Sequence, residues 1–542
     1  MATPQCTPEK LQELRKLAAE WGKIVSKRAF GDTGPGLDVD FRTMEQIAAV
    51  VAQGITEGTL QQLLQQQAQQ LTEEQPCPTC HKLCPTKPRK RSLTARGAVV
   101  EQVEPVAHCP NCRRDFFPLR TSLGLDEHTF SSCVVELIAT ASARFSSFRD
   151  ATYAIEMVGI DISESQVRRL AHQVGQELID ERDRKVIEQR RRQLPARTPV
   201  VPEAVVVEVD GGRIRTRAPQ KPGVHDAQNQ EDKIACLSTL ASSTFASDPQ
   251  PEPPKSFETP RRVQRLVQQM KGQAGEAKPQ EIPEESADQA TELGEAESPK
   301  RWSPKRLVRT CVASMETSAS FGPMMAAEAQ ERHFYEAPRR AFVADGAAYN
   351  WTIQQGYFRD FEPIVDFLHV LCYVYSSARA VSANEASGWS QYLVWMRACW
   401  QGRVRDVLSE LEVWQTRLGS APPGEPRSAE ERRDPRRVVA EARSYLTNNQ
   451  TRMDYPRYRR EGLPTTSSLV ESLVGEFNAR VKSKQKHWTR PRGAESILQL
   501  RAALLSEDGR LGRHFAERAG NPFHKKQLTN IISDKPMVQT AA

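Results

Sequence analysis

The chain has 542 residues, 38% of them hydrophobic, and 75 Lys and Arg against 68 Asp and Glu leave a net charge of +7. That length predicts several domains with a large buried core, and the basic surplus is segregated along the chain, which suits a polyanionic partner. No apolar run approaches the length of a bilayer span, and Met1-Ala2-Thr3-Pro4 opens no secretory signal, so a cytoplasmic protein with no membrane partner is expected. The eleven cysteines should then be reduced or metal-bound.

Thr7-Pro8 reads as an N-cap followed by proline at the first helical position, and Leu11, Leu14, Leu17, Trp21 and Val25 continue at helical spacing. Gly31 to Gly36 breaks that helix. Shorter helical patterns follow around Met44 and Leu60, so residues 1–72 read as a helical N-terminal module. Cys77-Pro-Thr-Cys80 and Cys109-Pro-Asn-Cys112 bracket a segment that is strand-like over residues 98–106. Two such knuckles present four thiolates to one tetrahedral ion, and residues 73–125 are therefore expected to form a zinc ribbon with Cys77, Cys80, Cys109 and Cys112 on Zn2+. The 28 residues between the knuckles make a long gap, which leaves Cys84 or His108 open as a replacement for one ligand.

Residues 126–198 are helical by pattern. A helix over residues 148–157, a turn at Gly159 and a second helix opened by Ser163-Glu-Ser-Gln-Val-Arg-Arg outline a helix-turn-helix, in which Gln166, Arg168 and Arg169 would contact DNA; plain scaffold is the competing account. Next comes Ala204 to Arg217, A-V-V-V-E-V-D-G-G-R-I-R-T-R. Its β-branched run has the composition of a strand buried on both faces, with Asp210 at the apolar-to-polar break. A carboxylate in that setting is paired, hydrogen-bonded or metal-bound, unless Asp210-Gly211 merely turns a hairpin. A second strand is expected over residues 234–240. Residues 242–304 hold nine prolines and an acidic tract, a composition that predicts a disordered insertion.

Order should resume in a strand over residues 307–314 and a helix over residues 324–334. Ala341-Phe-Val-Ala-Asp345-Gly and Pro363-Ile-Val-Asp366-Phe-Leu-His369 then each end a short apolar strand in an acid. Residues 199–241 and 305–369 would supply the strands of one core, and residues 370–450 a helical insertion. Residues 451–520 would supply the C-terminal catalytic helix, opened by Ser467-Ser-Leu-Val-Glu471, and residues 521–542 a tail. Beyond Glu471, Arg480, Lys482, Lys484, Lys486, Arg490 and Arg492 occur with no acid among them, and with Trp488 they would hold DNA phosphates.

Three carboxylates on two strand ends and a distant helix are the hard oxygens that two-metal phosphoryl transfer requires. The expected fold class is α/β: a ribonuclease H-like catalytic core interrupted by a helical insertion and preceded by a zinc ribbon and a helix-turn-helix region. The strings Val-Asp210-Gly-Gly-Arg, Val-Ala-Asp345-Gly-Ala, Asp366-Phe-Leu-His369-Val and Leu-Val-Glu471-Ser resemble the DDE transposases of bacterial insertion sequences. The Asp-x-x-His is the mark of the branch shared with Mutator-like elements, and the upstream Cys-x-x-Cys pairs are similar to those of the ISKra-type members. The resemblance runs from Cys77 to Phe515. It implies Asp210, Asp345 and Glu471 as catalytic acids on Mg2+ or Mn2+, with Asp366 and His369 beside the metal ligands or on the scissile phosphate. It also implies cleavage at element ends, strand transfer into target DNA, and a homo-oligomer on DNA in the bacterial nucleoid. The rival readings are a non-catalytic DNA-binding descendant and a nuclease of the same core without strand transfer. Thr466-Ser467-Ser468 stands where relatives usually have a Gly-Ser-Gly-like turn, and the insertion after Leu240 is not typical of them.

Overall fold

The computed structural model describes residues 7–217, 227–270, 302–426, 428–482, 488 and 491–523, with the side chains of residues 217, 227–229, 269–270, 429 and 468–472 outside that set. The chain divides into two compact units, one of Met1–Ile138, Thr152–Ser163 and Gly512–Ala542, the other of Ala139–Ala151 and Glu164–Leu511.

The first unit begins with α1 (Pro8–Phe30), capped by the Thr7 hydroxyl, which accepts from the Lys10 N–H at 3.3 Å, and ended by Gly31 at φ 73°. Neither α1 nor α2 (Phe41–Gln69) buries a residue. A four-stranded antiparallel meander follows in the order β1 (Glu74–Pro76), β2 (Leu83–Ala95), β3 (Ala98–Cys109) and β4 (Arg114–Phe116). Ala95 pairs with Ala98 across the β2–β3 turn, where Gly97 takes φ 85°, a conformation a Cβ would strain. The short α3 (Arg120–Leu123) brings a buried arginine onto Glu104, with Nε to Oε1 at 2.8 Å and Nη2 to Oε2 at 2.9 Å. Arg91 meets the same carboxylate at 3.0 Å, so this buried acid is compensated from two sides. The chain continues through α4 (Ser132–Arg144) and α5 (Phe148–Glu156).

The second unit carries α6 (Glu164–Arg190) and then a mixed sheet. Its strands are β5 (Ala204–Arg217), β6 (Ala227–Ala241), β7 (Lys305–Ser314), β8 (Arg339–Ala344) and β9 (Glu362–Val365), in the order β7-β6-β5-β8-β9. The β5–β6 and β6–β7 pairs are antiparallel, whereas β5–β8 and β8–β9 are parallel. The valines of β5 are buried on both faces, as their β-branched run predicts, because α8 (Ser318–Glu331), α16 (Ser468–Val481) and α17 (Pro491–Leu505) lie against the sheet. The strand runs on through Asp210-Gly211-Gly212 and pairs with β6 at every position to Arg217, which removes the hairpin-turn account of Asp210.

Between the strands lie α7 (Pro260–Met270) and α9 (Ala348–Tyr357), and after β9 come α10 (Phe367–Val381), α11 (Glu385–Trp400), α12 (Val404–Leu418), α13 (Ala429–Arg432), α14 (Pro435–Asn449) and α15 (Tyr455–Arg460). Their core is aromatic, with Tyr392, Trp395, Trp400, Tyr455 and Tyr458 fully buried. The last helix among the described residues is α18 (Arg510–Glu517), whose residues from Gly512 onward belong to the first unit. The expectation of disorder after Leu240 is corrected for residues 242–270. There α7 buries Val263 and Val267, Phe257 packs edge-on to Trp400, and Asp248 receives the wholly buried Arg459 at 2.8 Å. The composition concealed this because a few apolar residues at helical spacing suffice when a preformed helical surface receives them. Residues 271–301 lie outside the described set.

Candidate active site

Register aligns three of the expected acids. Val209 pairs with Ala344 across the parallel β5–β8 ladder, so the next residues, Asp210 and Asp345, fall opposite one another. Ala344 pairs with Val365 across β8–β9, so Asp345 and Asp366 do the same, and the Asp366 N–H continues the ladder to the Ala344 carbonyl at 2.9 Å. The β5–β8 boundary is where the chain, having built outward through β6 and β7, returns to build the other half of the sheet. In open α/β sheets the crevice at such a reversal, outside the carboxyl ends of the strands, is where ligands bind.

Each carboxylate is held differently. One Asp210 oxygen accepts from the Gly211 N–H at 2.7 Å. Burial raises the Asp210 carboxyl above its ordinary value; the Gly211 N–H and the His369 charge oppose this, and Asp345 and Asp366 add to it. Asp345 accepts from the Ala347 N–H and the Asn350 side chain, both at 2.9 Å, and its carbonyl accepts from the Tyr445 hydroxyl at 2.8 Å. Gly346 must be glycine here: its φ is 93°, and a Cβ would stand 2.7 Å from the Tyr445 ring.

Asp366 is wholly buried and caps α10. Its Oδ1 accepts from the N–H groups of Leu368 at 3.2 Å and Ser467 at 2.9 Å, and its Oδ2 meets His369 Nδ1 at 2.7 Å. With both oxygens engaged, Asp366 orients the imidazole. Burial works against the charged imidazole, but the bond to Asp366 and the charges of Asp366, Asp345 and Asp210 prevail and raise His369 to about 9.

The same aspartate fastens the approach to α16. Besides the Ser467 contact, the Phe367 N–H donates to the Thr465 carbonyl at 3.1 Å. Ser467 has φ −86°, so the position where a Gly-Ser-Gly-like turn was expected needs no glycine. Glu471 lies four residues beyond Ser467, about 6 Å along the helix. Its side chain is outside the described set.

In the first unit Cys77, Cys80, Cys109 and Cys112 converge, their sulfurs all within 4.8 Å of one another. Cys77 and Cys112 sulfurs stand 3.9 Å apart and those of Cys80 and Cys109 3.4 Å, against about 3.8 Å for the edge of a tetrahedron with 2.3 Å zinc–sulfur bonds. His81 and Arg113, each just past a knuckle, turn at φ 59° and 52°. The Cys112 N–H donates to Cys109 Sγ at 3.4 Å and heads the interactions that pull this thiol down to about 6. The four residues can therefore hold a metal ion such as zinc. Cys84 stands beside the cluster, its thiol meeting Cys109 and donating to the Lys82 carbonyl at 3.3 Å, but it is not one of the four converging sulfurs, and His108 pairs with Asp115 at 2.7 Å.

No protein-family model matches the sequence, and no curated protein does. Solved structures that match include the Drosophila P element transposase strand transfer complex, at 9% identity over 69% of this chain and 92% of that chain, with a TM-score of 0.27. A likeness at that score bears on neither chemistry nor partner. None of the helices described is long and apolar enough to cross a membrane.

The residues expected to contact DNA fare unevenly. Gln166, Arg168 and Arg169 lie on the first turns of α6, Arg168 being paired to Glu164 at 2.5 Å and set over the Phe148 ring at 5.5 Å. Arg480 is corrected: it is 2% exposed, donates to the carbonyls of Ser142 and Ser146 at 2.6 and 3.3 Å, and lies over the Phe148 ring. The carbonyls at the end of α4 take up this guanidinium together with that of Arg501, which donates to the Ala143 carbonyl at 2.8 Å, a use that charge counting cannot distinguish from phosphate binding. Trp488 is also built in, its N–H bonded to the Arg215 carbonyl at 3.0 Å and its indole N–H to that of Val481 at 2.9 Å. Lys482 is exposed, and Lys484 and Lys486 lie outside the described residues. Asp232 carries no signal in the sequence, yet β6 places it across from Gly212, two positions beyond Asp210. Only the hairpin register reveals it, since Gln-Glu-Asp232-Lys has the composition of a solvated strand end.

Proposed function

We propose that this chain is a DDE-type DNA transposase that cleaves DNA at element ends and transfers the released strand into target DNA, with a ribonuclease H-like core, and of the ISKra-type within its class. The observation that carries the reading is the alignment of Asp210 and Asp345 on adjacent strands at the sheet reversal, with Asp366 in the next register position and His369 bonded to it. The strings around these residues and the upstream four-cysteine cluster support the same class.

Mg2+ or Mn2+ would be held by Asp210, Asp345 and Glu471. The donors fit: they are hard oxygens, and Asp210 is a carboxylate whose charged form is disfavoured by burial and by like charges, a condition that a cation relieves. Bound there, such ions would supply Lewis acidity toward the scissile phosphate and the attacking water or 3′-hydroxyl. His369, kept cationic by Asp366, would hold a non-bridging phosphate oxygen and so fix the phosphate against the acids. Asp366 does this without leaving its cap, and its second link to Ser467 sets the start of the helix that bears Glu471. The zinc ribbon and the helix-turn-helix residues would recognise the element ends, and Lys482 would reach phosphates beside the acids.

The test is cleavage and strand transfer on DNA ends taken from the repeats that flank the gene. Mg2+-dependent nicking that disappears in Asp210→Asn and Asp345→Asn is expected. Nicking without joining would instead make this a nuclease, and cleavage retained by either variant would end the assignment.

A further inference from the structure

Asp232 is a carboxylate to which no other described residue donates a hydrogen bond. It is fully buried. The cost of isolating such a charge from water is large, and buried acids are normally paired, hydrogen-bonded or metal-bound. Burial raises its carboxyl to about 6, although its own backbone N–H and the charge of Lys482 favour the ionised form; the charges of Asp210 and Glu231 add to the rise. Its placement is specific. Asp210 pairs with Ile234 and Gly212 with Asp232, and residues two apart on a strand share a face, so Asp232 and Asp210 are diagonal neighbours on one face of the β5–β6 ladder. The carboxylate lies over Gly212, where a Cβ would stand 2.8 Å from Oδ1 and 3.2 Å from Oδ2. Any side chain at position 212 would fill that space.

We propose that Asp232 is a further metal ligand, a carboxylate that binds a divalent cation together with Asp210. The inference rests on the reading of Asp210 and Asp345 as metal-binding acids and extends their row across a third strand. Three adjacent strands then each contribute one acid: Asp232 from β6, Asp210 from β5 and Asp345 from the end of β8. The cation supplies the direct counter-charge that exposed Lys482 does not. An oxygen-only site of this kind suits Mg2+ or Mn2+.

The experiment is Mn2+ binding to the full-length, zinc-loaded protein, followed by the electron paramagnetic resonance of free Mn2+, alongside thermal unfolding with and without Mn2+. Asp232→Asn is expected to weaken Mn2+ binding tenfold or more and to lose the Mn2+-dependent rise in Tm, while without Mn2+ it melts no lower than the wild type. A smaller loss of affinity, with Asp210→Asn abolishing binding, overturns the proposal and leaves the active-site reading standing. Binding unchanged in Asp210→Asn instead overturns that reading, and this inference with it. A fall in Tm for Mn2+-free Asp232→Asn makes the residue structural and also overturns the proposal. Should Asp232→Asn not fold, Asp232→Ser decides by the same criterion.

Discussion

Replacing Asp366 by asparagine removes one charge from the centre of the site while keeping its shape. In the Mg2+- and Mn2+-free protein His369 stands near 9, against an ordinary 6.5. Burial opposes its charge, so what raises it is the 2.7 Å bond to Asp366 together with the charges of Asp366, Asp345 and Asp210. A histidine raised on folding stabilises the native state fully below its unfolded value, and that contribution is lost as pH rises from 6.5 to about 9. The difference of 2.5 between those two values, at about 1.4 kcal/mol per unit, corresponds to about 3 kcal/mol. In Asp366→Asn the amide oxygen can still accept from Ser467 but carries no charge, so burial should return the imidazole to its ordinary value or below. NMR titration of the His369 ring in protein freed of Mg2+ and Mn2+ reads this directly, and urea unfolding from pH 6 to about 9.5 reads the linked stability. A wild-type imidazole that titrates at or below its ordinary value, or a stability slope that Asp366→Asn leaves intact, would refute the reasoning. Added Mg2+ should lower the wild-type value, because it neutralises the acids that help to raise it.

Cys77→Ser should lose its bound metal stoichiometrically by metal analysis and melt the β1–β4 meander, since a structural site contributes directly to folding. Near-wild-type metal content would show that three thiolates suffice. Arg480→Ala should destabilise the second unit by about 3 kcal/mol in chemical denaturation, because it strands the carbonyls of Ser142 and Ser146 and removes a guanidinium from the Phe148 ring. Lys482→Ala should leave stability unchanged and flatten the dependence of log affinity on log salt by about one for specific and random DNA alike. Interchanged outcomes for these two residues would contradict their assignment.

The sequence by itself determined the elements whose cause is local. The β-branched run at Val205 to Val209 made a strand buried on both faces, Thr7-Pro8 started a helix, and the paired Cys-x-x-Cys spacing brought four sulfurs together, each through propensity, capping or knuckle geometry within a few residues. The acids at Asp210, Asp345 and Asp366 were legible for the same reason, because a carboxylate closing an apolar strand is a local anomaly. Only the tertiary structure decided what each charged side chain faces. The β5–β6 register buried Asp232 beside Asp210 although its neighbours read as solvated, and α16 turned Arg480 inward while leaving the exposed Lys482 outside. Val263 and Val267 likewise folded a proline-rich stretch that composition had assigned to disorder. Burial and pairing depend on residues far away in the chain, and in a charge count a buried arginine bonded to two carbonyls is identical to one waiting for phosphate.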